Sequence, residues 1–284
     1  RLYGYANLDS NFNHLVPITA FKNLETEKQV RLFVDINHKQ KSVPRNLLLV
    51  LQSELWWGSD NAKQAIFSLK TRLINKLGTT ASSPLQNRIV VGEKRGTKTR
   101  CISVDYLMKY ALDKSNFFGK IKKETFTEAG WLLTQKQVQS KDYDGAIKRA
   151  YMFFESIFNK CQNHLEESWQ KGSEEGGFIT MNIGIFSIIR LCDIIIRFRV
   201  ETEGDDIANM APEKIAQTVY HYLDCILDHI KELDLDEIKK FRSYSTGGIN
   251  ENAVNELLFV LNSKFTEINP ARLQKYLKER ESQY

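Results

Sequence analysis

The residues best suited to chemistry lie in the stretch FVDINHKQKSVPRNLL, where a predicted strand ends and a predicted helix begins. Hydrophobic Phe33, Val34 and Ile36 come first, and a dense set of hydrogen-bond donors follows them: Asn37, His38, Lys39, Gln40, Lys41 and Arg45. The N–H groups of a helix N-terminus and nearby cations both attract anions, so this position favours a phosphate group. A solvated basic loop in front of a capped helix explains the same residues, and spacing alone does not choose between the two interpretations.

A second set of cations lies further along the chain. Arg88 follows a Ser-Ser-Pro turn, and Lys94, Arg95, Lys98 and Arg100 fall within seven residues that also contain glycine. Flexible basic tips of this kind suit contacts with a DNA backbone. The alternative is an ordinary exposed tip, whose charges are simply solvated. A loop that enters a strand accounts for Arg88; the functional alternative is that Arg88 lines the same cleft as the first stretch or lies at a DNA-facing edge.

Histidine and cysteine do not indicate a metal site. The widely spaced cysteines form no C-x-x-C pair and predict reduced thiols, mostly in the core of a cytoplasmic protein: Cys101, Cys161, Cys192 and Cys225. His221 and His229 share a predicted helix with Asp224 and Asp228. For this group a solvated charged face is favoured over a metal cluster.

Composition sets wide limits on function. The 284 residues are 42% hydrophobic and carry a formal net charge of +5, which is compatible with a polyanion partner but does not require one. The longest apolar run, FITMNIGIFSIIRLCDIIIRF, is interrupted by Asn182, Arg190 and Asp193, which a membrane span rarely tolerates. It predicts a buried helix, and we expect neither a membrane partner nor a signal peptide.

Two regions follow from the pattern of elements. In the first, residues 1–104, we expect strands at 15–21 and 29–37, a helix that starts near Pro44, a helix over 61–77, and two strands around a basic turn within 87–104. In the second, residues 105–284, the pattern predicts helices at about 140–169, 180–198, 212–232, 250–264 and 270–280. The chain is therefore predicted to be α+β, with a mixed α/β domain followed by a mostly helical one.

The segment RLYGYANL, a strand, and then LFVDINHKQKSVPRNLL together resemble the DGQHR-domain family. The naming motif of that family reads Asp-Gly-Gln-His-Arg and continues with Leu, an aromatic residue and Gly or Ala. Arg1 matches the last residue of this motif, and Leu2, Tyr3 and Gly4 continue it.

The resemblance implies a fold similar to ParB and sulfiredoxin, in which the motif binds a nucleotide phosphate at a helix N-terminus. It makes Arg1 the phosphate-contacting and catalytic residue, and it places Asn37, Lys39, Gln40 and Arg45 around the same pocket. Arginine suits this role because its planar guanidinium binds two phosphate oxygens at once. Arg88, Lys94, Arg95, Lys98 and Arg100 would then contact DNA.

Two functions follow from the resemblance. The family includes DndB-like proteins of bacterial DNA phosphorothioation, some of them DNA-binding regulators, so the first expectation is a DNA-associated regulator. Related modules are linked to nucleotide hydrolysis in phage defence, so the alternative is a nucleoside triphosphatase, coupled or not to DNA nicking, that uses ATP or another nucleotide with Mg²⁺. An assembly component without activity is a third outcome. DNA is the expected partner, and a homo-oligomer is compatible with each of these functions.

Overall fold

Helices dominate the computed structural model, which describes residues 25, 28–29, 31–32, 44–92, 96–122, 125–128, 131, 140–245 and 249–264. The predicted strand at 15–21 and the predicted helix at 270–280 lie outside these residues. So do most residues of the predicted phosphate pocket and two of the predicted DNA contacts, namely Arg1, Asn37, Lys39, Gln40, Lys94 and Arg95.

The helices of the described part are α1 (Arg45–Leu55), α2 (Ala62–Thr79), α3 (Val104–Tyr106), α4 (Tyr143–His164), α5 (Glu166–Lys171), α6 (Asn182–Glu203), α7 (Pro212–Glu232), α8 (Leu235–Ser243) and α9 (Glu251–Lys264). A π-helical turn, Leu107–Leu112, continues α3. The strands are β1 (Ile89–Val90), β2 (Ile102–Ser103), β3 (Lys120–Lys122) and β4 (Thr125–Glu128). The described residues therefore form a mostly helical, α-rich structure with few strands.

Local signals explain why the helix predictions are confirmed. Asn61 caps α2 by accepting hydrogen bonds from the backbone N–H groups of the first turn, and Pro212 occupies the first turn of α7, where a missing N–H costs least. The predicted helix at 140–169 is divided in two, because the chain leaves helical geometry at Leu165 between α4 and α5.

The strand predicted at 29–37 is wrong where the structure describes it. Gln29, Arg31 and Leu32 are helical, and the N–H of Gln29 donates to the carbonyl oxygen of Glu25 at 2.9 Å, four residues back. The β-branched and aromatic residues that suggested a strand lie mainly at 33–36, outside the described residues.

The two strands predicted within 87–104 exist, but their expected hairpin pairing is wrong. β1 and β2 are parallel, with Ile89 opposite Ile102 and Val90 opposite Ser103. Parallel strands need a connection that returns the chain to its starting side. Residues 96–100 supply part of it: instead of forming a ladder with β1, they hydrogen-bond to the loop after α5, where the N–H of Ser173 donates to the carbonyl oxygen of Lys98 at 2.8 Å.

A second strand pair is antiparallel and was not predicted. β3 pairs with β4 in the register Ile121 opposite Phe126, in the short segment between the π-helical turn and α4.

One hydrophobic cluster runs from Ala65 on α2 to Leu261 on α9 and includes residues on both sides of position 104. α4 packs against α2 and α7, while α6 lies against the π-helical turn and α9. The prediction of a buried helix over 180–198 is confirmed, since α6 is buried on all its faces over most of its length. Within the described ranges, no helix combines the length and apolarity that a membrane span requires.

The two charged residues that interrupt the apolar run form a buried ion pair on α6. The Nη1 of Arg190 lies 3.4 Å from the Oδ2 of Asp193, and both side chains are almost fully buried. Asp193 Oδ1 also accepts hydrogen bonds from the backbone N–H of Asn116 and the indole N–H of Trp131, each at 2.8 Å.

Arg190 extends this network to two further elements. Its Nη1 donates to the carbonyl oxygen of Lys114 at 2.9 Å, and its Nε lies 3.5 Å from Oε1 of Glu251 at the start of α9. The pair therefore joins α6 to the turn that follows the π-helix and to α9.

We expect Asp193→Asn to lower the free energy of unfolding by about 3 kcal/mol, because it leaves a buried guanidinium without its closest carboxylate. Urea denaturation followed by circular dichroism measures this change. The control is Asp60→Asn, whose side chain is 88% exposed, and which should leave the denaturation midpoint unchanged. Equal midpoints for Asp193→Asn and the unsubstituted protein would show that the buried pair does not stabilise the fold.

Candidate functional site

The parallel pair of β1 and β2 carries polar groups at both of its ends. At the C-terminal end, Asn46 in the first turn of α1 donates from Nδ2 to the carbonyl oxygen of Val90 at 2.7 Å. Its Oδ1 accepts from the N–H of Asp105 at 3.0 Å and from the hydroxyl of Ser103 at 3.1 Å. One amide side chain thus fixes the start of α1 to both strands.

Arg45 lies beside this junction as the first residue of α1. Its Nε lies 2.7 Å from Oδ1 of Asp105, and its side chain is 74% exposed. An exposed ion pair of this kind contributes little energy, so an incoming phosphate can compete with Asp105 for the guanidinium. The other residues of the predicted phosphate pocket lie outside the described part of the chain.

Arg88 lies at the other end of the pair, where it precedes β1. The register places it beside Cys101, and the N–H of Ile102 donates to the carbonyl oxygen of Arg88 at 3.1 Å. Arg88 is only 8% exposed. Arg88 lies in the turn that enters β1, at the end of the pair opposite Arg45, and this position matches the alternative of a loop that enters a strand.

The guanidinium of Arg88 has one neutral partner. Nη2 donates to Oε1 of Gln170 at 2.7 Å, whereas the buried Nη1 has no hydrogen-bond partner. The guanidinium carbon lies 6.0 Å from the ring centroid of Trp169. Burial lowers the pKa of Arg88 from its ordinary value, as expected for a cation removed from water without a counter-ion.

Arg242 on α8 brings a second guanidinium to the same end of the pair. It donates to the carbonyl oxygens of Glu174, Ser173 and Gly177 at 2.8, 3.0 and 3.3 Å. The loop after α5 is therefore folded around the side chain of Arg242.

The positive charges of Arg88 and Arg242 both act on the thiol of Cys101. Its Sγ donates to the carbonyl oxygen of Thr180 at 3.4 Å. Burial raises the pKa of the Cys101 thiol, while the charges of Arg88 and Arg242 and a hydrogen bond with Ser173 act in the opposite direction. Cys101 is half-buried, as are Ser173 and Arg242, so solvent reaches this side of the cluster while Arg88 is buried.

The basic segment, which we define as residues 96–100, is anchored next to this cluster. The N–H of Thr97 donates to the carbonyl oxygen of Arg100 at 2.9 Å, and both the N–H and the hydroxyl of Ser173 donate to the carbonyl oxygen of Lys98. Lys98 nevertheless keeps 76% of its side chain exposed, with Nζ 3.5 Å from Oε1 of Glu174. The backbone is fixed while the charge stays in water.

Arg100 is held in a different way. Its Nε donates to the carbonyl oxygen of Asn87 and its Nη2 to Oδ1 of the same residue, each at 3.1 Å. Asn87 has a positive φ of 58°, a conformation that asparagine tolerates better than most residues. Arg100 thus holds the turn before β1 and has a defined orientation.

The structure brings together three of the predicted DNA-contacting residues, Arg88, Lys98 and Arg100, at the N-terminal end of the strand pair. Arg45 lies at the opposite end of the pair, and Lys94 and Arg95 lie outside the described residues. Sequence analysis missed Gln170 and Ser173, since the composition of residues 170–177, QKGSEEGG, indicated only a loop.

The predicted charged face on α7 is present, but its closest contacts involve a histidine from another helix. His164 at the end of α4 has Nε2 2.8 Å from Oδ1 of Asp228, and Lys160 has Nζ 2.7 Å from Oδ1 of Asp224. Within the described ranges, no group of three or more His, Cys, Asp or Glu side chains is arranged to hold a metal ion. A magnesium ion carried by a nucleotide stays a prediction.

The chain matches no protein-family model, no curated protein sequence and no solved structure. What these residues do must therefore follow from their geometry and charge.

We expect Gly172→Ala to detach the basic segment from the loop after α5. Gly172 has a φ of +56°, and a Cβ added there would lie 2.3 Å from the carbonyl oxygen of Lys98. Strain of this kind costs about 1–3 kcal/mol. Trypsin should then cleave after Lys98 and Arg100 several-fold faster than in the unsubstituted protein, as measured by mass spectrometry of timed digests.

Gly92→Ala is the matched control, because a Cβ at Gly92 meets nothing within 4 Å. The control should be cleaved at the unsubstituted rate. If trypsin cleaves the Gly172→Ala variant and this control at the same rate, the basic segment is not anchored by its contact with residue 172.

Proposed function

We propose that the chain is a DNA-associated protein of the DGQHR type, a DndB-like regulator of bacterial DNA modification and phage defence, which binds the DNA backbone through its basic segment. The observation that carries this proposal is the contrast at Lys98, where the backbone carbonyl accepts two hydrogen bonds from Ser173 and the side chain is 76% exposed.

A fixed backbone with an exposed cation favours phosphate binding for two reasons. Little backbone entropy is lost when the segment meets a phosphate, because the turn is already formed. The charge of Lys98 also releases counter-ions from DNA, and this release supplies most of the affinity that is independent of sequence. Arg100 lies two residues further on and, with Lys94 and Arg95, extends the positive charge of the segment along the chain.

The proposal includes the two-domain fold that the resemblance implies. Residues 1–104 would form a ParB/sulfiredoxin-like domain and residues 105–284 a helical domain, joined by the hydrophobic cluster that crosses position 104. The phosphate pocket of this domain would consist of Arg1, Asn37, Lys39, Gln40 and Arg45. The support for it in the described residues is Arg45, whose exposed position at the first turn of α1 suits an anion.

Nucleotide hydrolysis stays the alternative prediction, because all of its expected pocket residues except Arg45 lie outside the described part of the chain. Self-association into a homo-oligomer likewise stays a prediction.

The test is the salt dependence of binding to a short DNA duplex, measured by fluorescence anisotropy between about 50 and 200 mM salt. The protein should bind duplexes of scrambled sequence, and its affinity should fall linearly with the logarithm of salt concentration. Lys98→Ala should make this slope shallower by about 0.9, the value of one lost phosphate contact.

Lys148→Ala is the matched control. Lys148 is an exposed lysine near the start of α4, about 24 Å along the helix from His164, the residue at which α4 ends. It should leave the slope unchanged. Equal slopes for the Lys98→Ala and Lys148→Ala variants would contradict the assignment of the segment to DNA. Absence of DNA binding together with release of phosphate from ATP and Mg²⁺ would instead select the hydrolase.

A further inference from the structure

Two arginines at the N-terminal end of the strand pair have no acidic partner. In the part of the chain that the structure describes, the hydrogen-bond partners of Arg88 and Arg242 are a side-chain amide and backbone carbonyls, and none is a carboxylate. Glu174, in the adjacent loop, pairs its carboxylate with the side-chain ammonium of Lys98. The cluster therefore holds two positive charges without a counter-ion.

Arg88 is the unusual member of this cluster. It is more than nine-tenths buried, and its Nη1 lacks any hydrogen-bond partner. An arginine keeps its charge at neutral pH, so burying its guanidinium without a counter-ion carries a desolvation cost. That cost is recovered when an anion binds to it, which makes the position favourable for a negatively charged ligand.

We propose that Arg88, Arg242, Cys101 and Ser173 form a binding site for one phosphate group. The Nη1 of Arg88 supplies the donor that has no partner, and Arg242 supplies a second positive charge. The thiol of Cys101 and the hydroxyl of Ser173 donate to backbone carbonyls in the free protein, and they border the site as neutral polar groups. Cys101, Ser173 and Arg242 are half-buried, so the cluster borders solvent. This site goes beyond the proposed DNA binding, and either proposal can fail without the other.

Phosphate fits this cluster better than a larger ligand does. The planar guanidinium of arginine matches the spacing of two phosphate oxygens, and a tetrahedral anion can receive donors from several directions at once. The burial of Arg88 limits the site to a single small group. A free phosphate ion and a phosphate ester of a nucleic acid share this chemistry.

Cys225 supplies an internal control. It is also half-buried: burial raises the pKa of its thiol, the charge of Lys264 lowers it, and the charges of Asp228 and Asp224 raise it. Within the described residues, Cys225 has two carboxylates near it and no arginine pair, so its alkylation should not respond to an anion bound at Cys101. The other two cysteines, Cys161 and Cys192, are fully buried.

The experiment measures alkylation of Cys101 and Cys225 by a neutral reagent, iodoacetamide, using mass spectrometry of timed samples. Inorganic phosphate at ten times its dissociation constant should slow the alkylation of Cys101 about tenfold relative to chloride at equal ionic strength. Alkylation of Cys225 should be unchanged. A second arm replaces inorganic phosphate with a DNA duplex.

Arg88→Met should remove this protection while retaining the fold, because it exchanges an unpaired buried cation for an apolar side chain of similar length. Its thermal unfolding midpoint in chloride should equal or exceed that of the unsubstituted protein, and phosphate should no longer raise it. Arg149→Met is the control: Arg149 is half-buried rather than fully buried, and it too donates to neutral oxygens, the backbone carbonyls of Ile207 and Ala208. The control should keep the protection of Cys101.

Protection by inorganic phosphate alone would support a site for a free phosphate or a small phosphate ester. Protection by DNA alone would support a site for a backbone phosphate. The proposal is overturned if neither ligand slows the alkylation of Cys101, or if the Arg88→Met variant is protected as well as the unsubstituted protein.

Discussion

Parallel pairing of β1 with β2 is the constraint on which the candidate site depends. Ile89 and Ile102 are buried opposite each other, which places Arg88 beside Cys101 at one end of the pair and Val90 beside Ser103 at the other. A close approach of α2 supports the pair, since a Cβ at Gly78 would lie only 2.9 Å from the Cβ of Ile89. Four strand residues thus fix the relative positions of polar groups that are distant in sequence.

Arg88 and Arg190, both buried within the described residues, differ in their partners. Arg190 has Asp193 three residues away on the same helix, and the pair joins α6 to its neighbours. Arg88 has only the neutral amide of Gln170. A buried cation that already has its carboxylate stabilises a structure, whereas one without a counter-ion is available to a ligand. This difference is why we assign a structural role to Arg190 and a binding role to Arg88.

Local sequence signals predicted the helices well and the site poorly. The cap at Asn61, the Pro212 start of α7 and the apolar content of α6 act within a few turns of one helix, so they can be recognised from the sequence. The parallel pairing depends on contacts between distant residues, such as the hydrogen bond from Arg88 to Gln170, 82 residues apart. Alternating residues and a glycine-rich turn favour a hairpin locally, and long-range contacts, such as those of the basic segment with Ser173 and of Asn46 with both strands, select the other arrangement.

The direction of pairing can be measured directly by nuclear Overhauser effects between backbone protons of the two strands. The parallel register places Val90 opposite Ser103, and a hairpin that kept Ile89 opposite Ile102 would place Val90 opposite Cys101. Our account predicts a cross-strand contact between Val90 and Ser103. A contact between Val90 and Cys101 in its place would contradict the strand arrangement and, with it, the arginine cluster built on that arrangement.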